Sequence, residues 1–159
     1  MGRISDRLDE LGLELPQRFS APPGIEIKFE FVRLDGNRAW ISGHGPMDGD
    51  QALLSGKVGT DVSLEQAQEA ARLTGLSILA SLNSELGDLD RVRHWLKAIG
   101  FVNCAPGFNK LPAVVNGFTE LVRDVWGDDG RHARSAIGVA ELPLDWPVEV
   151  EAYVEIDGS

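Results

Sequence analysis

The run Gly130-Arg131-His132-Ala133-Arg134-Ser135-Ala136-Ile137-Gly138-Val139-Ala140-Glu141-Leu142-Pro143, followed by Val148-Glu149-Val150-Glu151-Ala152-Tyr153-Val154-Glu155-Ile156, decides how this chain is read. The second part alternates apolar and polar over nine positions, the pattern of a strand with one face on a core. Val148, Val150, Ala152, Val154 and Ile156 share one face, and Glu149, Glu151, Tyr153 and Glu155 share the other. The first part reads as a shorter strand of small and β-branched residues, ended by Leu142-Pro143. Arg134 enters the first strand and Glu149 the second, fifteen residues apart. A permanently charged planar fork and a carboxylate can together hold and protonate a small anionic substrate.

Upstream of these strands the pattern predicts a helix from about Pro112 to Trp126, with Val115, Phe118, Val122 and Trp126 inward and Gly127 ending it. Residues 91–103 read as a long strand. Before it, Asp61 or Ser63 caps a helix that Gly87 closes. Gln66 is the capping-box partner of Ser63, and Leu64, Ala67, Ala71, Leu79 and Leu82 form the buried stripe. Ala70, Ala71 and Gly75 permit close packing on a sheet. The alternation Ile27-Lys28-Phe29-Glu30-Phe31 begins a strand, Asp35-Gly36-Asn37 is a turn, and Arg38–Ser42 returns as the second arm of a hairpin. Leu53–Val58 could add a short strand. At the start, Ile4, Leu8 and Leu11 share a helical face until Gly12 and Pro16 stop it. The order ββ(β)αβαββ predicts an α+β fold, a two-layer sandwich of a β-sheet with two helices on one face, plus the N-terminal helix. One domain over 1–159 is expected, with 1–24 as helix and linker and 25–159 as core. The uncovered sheet face, with Trp40, Trp95 and Tyr153 needing homes, points to self-association.

Composition narrows the function classes. The single cysteine, Cys104, excludes an internal disulfide framework and fits a reducing compartment. No apolar run reaches transmembrane length and residues 1–20 lack the apolar core of a signal peptide, so a cytoplasmic location is expected. A formal charge of −10 with no Lys/Arg cluster makes nucleic acid and anionic membrane poor partners. A small anion on one buried arginine remains compatible with it. Three dispersed histidines give no metal-ligand spacing, and no metal or cofactor is expected. Gly56-Lys57-Val58-Gly59 fails as a phosphate loop because Gln51 stands at the first glycine position and Val58 at the Ser/Thr position.

With these elements placed, the chain resembles the RidA/YjgF/UK114 family, also labelled endoribonuclease L-PSP or chorismate-mutase-like, in its longer branch with an extra N-terminal helix. The resemblance spans residues 27–156. Its carriers are Gly36-Asn37, Ser42-Gly43 with Pro46, Gly56-Lys57-Val58, the helix from Gln66 to Gly87, and Gly87-Asp88-Leu89-Asp90-Arg91-Val92. Further along they are Asn116, Ala133-Arg134-Ser135, Leu142-Pro143 and Val148-Glu149-Val150-Glu151-Ala152. The resemblance implies a mixed sheet in which the strand from about residue 92 lies between the two C-terminal strands. It also implies a homotrimer with a central barrel and clefts between subunits. In similar proteins the arginine matching Arg134 binds the carboxylate of a 2-imino or 2-enamino acid. The glutamate matching Glu149 handles the attacking water and a proton, releasing ammonia and a 2-keto acid.

Two departures bear on that activity. Ala136 stands where the family often has cysteine, and Phe29 stands where deaminating members carry tyrosine. Asn116 reads either as a cleft-lining residue or as one bonded locally in its helix. His44 reads as a polar residue of a rim loop and, with Asn116, Phe29 and Ala136, as a candidate substrate contact, while His94 and His132 read as structural. Two functions follow: a hydrolytic deaminase of small imines or enamines, or a non-catalytic trimeric binder or sensor of small carboxylates. Ribonuclease activity, against the acidic charge and without a catalytic histidine pair, and chorismate rearrangement, with one arginine only, rank below both.

Overall fold

The computed structural model describes residues 2–158. The chain runs α1 (Arg3–Glu10), β1 (Val32–Asp35), β2 (Arg38–His44), β3 (Met47–Asp48), β4 (Gln51–Ala52), α2 (Leu64–Leu86), β5 (Val92–Asn103), α3 (Leu111–Trp126), β6 (Ala133–Val139) and β7 (Val148–Ile156). The main sheet has the order β1-β2-β7-β5-β6. Only β5 and β6 are parallel, joined by the α3 crossover; the other neighbours are antiparallel, so the sheet is mixed. β5 lies between β6 and β7, which separates the two C-terminal strands that follow one another in sequence. Helices α2 and α3 pack against each other and against one face of the sheet.

The local chemistry of the long elements explains them. The Ser63 side chain accepts from the Gln66 amide and the Gln66 side chain accepts from the Ser63 amide, a complete capping box at the start of α2. Gly87 closes α2 in the left-handed region, which a residue with a Cβ resists. A side chain on Gly75 would press into Leu121 and Phe118, and one on Gly117 would meet the backbone carbonyl of Gln68. Glycine therefore lets the two helices cross closely. The core fills the space between helices and sheet. Trp95 is 1% exposed and meets Phe118 and Trp126 edge-on, at ring distances of 5.8 and 5.3 Å. Burying side chains of this size contributes about 1.5–3 kcal/mol each. On β7 the inward residues are those the alternation names, and the four outward ones are half-buried.

A second, smaller cluster of Phe19, Phe31, Met47 and Trp146 fastens the irregular segment before β1 to the body. The Trp146 indole donates to Met47 Sδ at 3.2 Å. Helix α1 lacks a side-chain cap of its own; Asp90 supplies one, accepting from the amides of Arg3 and Ile4 at 2.7 Å each.

Three expectations about elements need correction. The strand begins at Val32, not Ile27. β2 carries a register shift between Ile41 and His44, so the chain before Val32 has no regular ladder to join. There the Ser42 amide and hydroxyl instead bond the carbonyls of Phe31 and Glu30. The short strand expected at Leu53–Val58 is replaced by a two-residue pairing of Met47-Asp48 with Gln51-Ala52. α1 ends at Glu10, earlier than the leucine pattern suggests. No helix among the described residues is long and apolar enough to cross a membrane.

The face of the sheet away from the helices is partly apolar. Trp40 and Ile137 are 41% and 45% exposed, Ile99 and Phe101 are half-buried, and Trp40 meets Tyr153 at 4.7 Å between ring centroids.

Candidate functional site

Strand β6 is an edge of the sheet, and its register with β5 decides where Arg134 points. Arg134 pairs with Ala98 and Ala136 with Gly100, both buried beneath the helices, so Arg134 and Ala136 face the α3 side. There the guanidinium lies along the first three turns of α3. Nη1 donates to Asn116 Oδ1 at 2.8 Å and to Thr119 Oγ1 at 3.0 Å, and Nη2 donates to the Pro112 carbonyl at 3.3 Å. All three acceptors are uncharged, so the cation is held in position without being neutralised. Burial lowers the Arg134 pKa, yet an arginine stays charged at any physiological pH. Three of its five N–H donors are engaged by these bonds. Among the described residues Nε–H and one Nη2–H have no partner, donors of the kind that bind a carboxylate.

Thr119 extends this arrangement inward. Its hydroxyl is 3.1 Å from His132 Nε2, and His132 Nδ1 is 2.8 Å from the Gly130 carbonyl.

Glu149 lies elsewhere. It pairs with Phe101 on β5, three residues beyond the partner of Arg134, and an odd step along a strand changes face. Its carboxylate is on the open side of the sheet, over the β2 irregularity, where a Cβ on Gly43 would collide with it. Two inter-strand spacings and three residues separate the Cα atoms of Arg134 and Glu149, roughly 14 Å. Burial, and then the neighbouring Glu151 charge, push the Glu149 pKa up, which favours the protonated acid.

The remaining candidates divide between these two places. Asn116 is the first acceptor for Arg134, and Ala136 sits two residues further along the same face. Phe29 is 55% exposed and edge-on to Phe31 at 5.5 Å, in the segment that Ser42 ties beside the β2 irregularity. His44 is not in a rim loop. It is fully buried at the end of β2, with Nδ1 2.7 Å from the Ser42 carbonyl and Nε2 2.9 Å from Ser81 Oγ. Both ring nitrogens are occupied, and burial lowers its pKa to about 4. The one-chain arrangement therefore brings Arg134, Asn116 and Thr119 together and keeps Glu149 apart from them.

Thr119, His132 and Gly43 are missed by the sequence reading as parts of these places. Thr119 had a signal, because it lies three residues after Asn116 on the same helical face. A groove of about 380 Å³ between the helices, lined by Leu11, Leu13, Glu69, Arg72, Glu120 and Asp124 among others, includes neither Arg134 nor Glu149. Among the described residues no group of three or more His, Cys, Asp or Glu side chains could hold a metal ion.

Residues 5–156 match the family model described as YjgF/chorismate mutase-like, a candidate endoribonuclease family. The chain belongs to the YjgF/chorismate mutase-like family. It is 36% identical over 157 residues to Protein TCP17 of Trypanosoma cruzi, covering 98% of this chain and 96% of that one. A crystal structure of a protein of unknown function from Agrobacterium tumefaciens superposes with a TM-score of 0.88 at 39% identity, covering 98% of this chain and 93% of that one. A candidate endoribonuclease from Shewanella oneidensis gives a TM-score of 0.87 at 27% identity, covering 96% and 99%. Over such coverage the mixed sheet with its helices is the fold of this family.

Proposed function

We propose that this YjgF-family chain is a homotrimer whose sheets close into a central barrel. In this reading Arg134 of one subunit and Glu149 of the next act together on a small 2-imino or 2-enamino acid. The observation that carries the proposal is the placement of these two residues on opposite faces of one sheet. Within one chain they cannot meet on a small molecule. A neighbour packed on the half-apolar open face can bring its own Arg134 edge to the Glu149 side. Each cleft then combines Arg134, Asn116 and Ala136 from one copy with Glu149, Gly43 and Phe29 from another.

The chemistry follows from those groups. Arg134 takes the substrate carboxylate on its open fork and fixes the imine carbon in the cleft. Glu149, its pKa raised, gives a proton to the imine nitrogen and as carboxylate then orients a water against C2. The water oxygen bonds to C2 as one of its protons passes to the Glu149 carboxylate and the C=N π pair moves to nitrogen, giving a carbinolamine, whose amino group Glu149 then protonates. Expulsion of ammonia, with loss of the hydroxyl proton, leaves the 2-keto acid. The balance is one imino acid and one water in, one keto acid and one ammonia out, with no cofactor required. The family description names an endoribonuclease, but a chain of formal charge −10 is poorly suited to hold a polyanion.

Phe29 and Ala136 favour a second reading, a non-catalytic binder of small carboxylates. Phe29 brings no hydroxyl to a proton transfer, and Ala136 brings no thiol. The test is ammonia release from enzymatically generated 2-iminobutyrate. The deaminase accelerates it, Arg134→Lys loses roughly 30- to 1000-fold in turnover and affinity, and Glu149→Gln keeps 2-oxobutyrate affinity while losing turnover. Binding of 2-oxobutyrate without any acceleration would establish the binder instead. Full activity in Arg134→Lys would contradict the carboxylate clamp in both readings.

A further inference from the structure

We infer that Thr119 and His132 are positioning residues for Arg134, forming a directed hydrogen-bond chain that aims the guanidinium. The inference rests on the carboxylate-clamp reading of Arg134 and concerns what holds that clamp ready.

The direction of the chain follows from its fixed end. A carbonyl only accepts, so the 2.8 Å contact to Gly130 places the proton of His132 on Nδ1. In the neutral ring Nε2 is then a bare acceptor, and the Thr119 hydroxyl donates to it across 3.1 Å. With its proton committed inward, the Thr119 oxygen turns its lone pairs to Arg134 Nη1 at 3.0 Å. Together with Asn116, this holds Nη1 from two sides while Nη2 is tied to the Pro112 carbonyl.

Protonating His132 would undo the arrangement. Nε2 would become a donor, the Thr119 hydroxyl would lose the acceptor that fixes it, and a second cation would stand behind the guanidinium. The groups facing the ring are the Phe118 edge, Thr119 and Arg123 from α3, the Gly130 carbonyl from the turn after α3, and Arg134 from β6. Burial first, then the charges of Arg134 and Arg123, hold the His132 pKa below its ordinary 6.5, against the opposing pull of the Gly130 bond. The chain is therefore intact at neutral pH and fails only on the acid side.

The experiment is calorimetric titration with 2-oxobutyrate as probe, joined to NMR of the Arg134 Nε–H in the unliganded protein. Thr119→Val keeps the side-chain volume and removes the hydroxyl; it should weaken 2-oxobutyrate binding about 5- to 10-fold. Thr119→Ser should restore binding to within about twofold. His132→Gln offers Thr119 an acceptor that does not titrate. It should bind as wild type at pH 7 and lose the decline in affinity that the wild type shows below pH 6.5 as His132 takes up its proton. In the free protein Thr119→Val should raise the solvent-exchange rate of the Arg134 Nε–H several-fold.

Wild-type affinity in Thr119→Val, while Arg134→Lys loses it, would overturn the positioning role and leave the clamp standing. Undiminished binding in Arg134→Lys as well would overturn the clamp and the inference together. Unchanged Nε–H exchange in Thr119→Val overturns the inference whatever the ligand data give.

Discussion

His44 shows how far a residue's meaning depends on what surrounds it. In the sequence it follows Ser42-Gly43 and precedes Gly45-Pro46, the surroundings of an exposed loop. In the fold it is fully buried, its Nδ1–H given to the Ser42 carbonyl and its Nε2 accepting from Ser81. The signal for this was outside the loop, in a serine on the buried face of α2. The consequence is measurable. Burial lowers the folded pKa to about 4, from 6.5 in the unfolded chain, so between these values only the unfolded chain takes up the proton. Stability present above pH 6.5 is therefore lost as pH falls toward 4, by roughly 3 kcal/mol across the whole window. Urea unfolding at several pH values should show this decline, and His44→Gln should flatten it. An equally steep decline in the variant would show that other groups cause it.

Among the elements, those whose ends are determined locally were legible and those determined by a distant partner were not. α2 begins at Ser63 because Gln66 completes the box, and it stops at Gly87 because glycine takes the left-handed turn. Both residues are readable without a structure. The run Ile27–Phe31 alternates as a strand does, but the β2 register shift near Ser42-Gly43 leaves it nothing to pair with. The two faces of Arg134 and Glu149 were hidden for the same reason. Parity between residues on different strands has meaning only once the strand between them is known, and β5 supplies it through Ala98 and Phe101. The resemblance marks Asn116 only as a cleft candidate, and no pattern in the helix shows that it accepts from Arg134. Helix α1 offers the test at this scale. With eight residues and no side-chain cap of its own, it depends on Asp90 for the amides of Arg3 and Ile4. Asp90→Ala should cost about 1 kcal/mol in unfolding free energy and speed amide exchange across residues 3–8. Unaltered exchange there would show that the burial of Ile4 and Leu8 alone holds the helix.

At the scale of the whole molecule, the proposed site depends on assembly. The helices cover one face of the sheet, and the other retains Trp40, Ile99, Phe101 and Ile137 beside the carboxylates of β7. Arg134 and Glu149 lie on opposite faces of this sheet, so the proposed site needs a second copy to be complete. Three chains of 17.3 kDa should sediment as one species near 52 kDa. The most direct measurement mixes two inactive variants, Arg134→Met and Glu149→Gln, by co-refolding, and follows ammonia release from 2-iminobutyrate. If, as proposed, each cleft takes its arginine from one subunit and its glutamate from another, random 1:1 mixing should restore about a quarter of the wild-type sites. Mixed trimers confirmed by mass that remain as inactive as either parent would contradict the shared site.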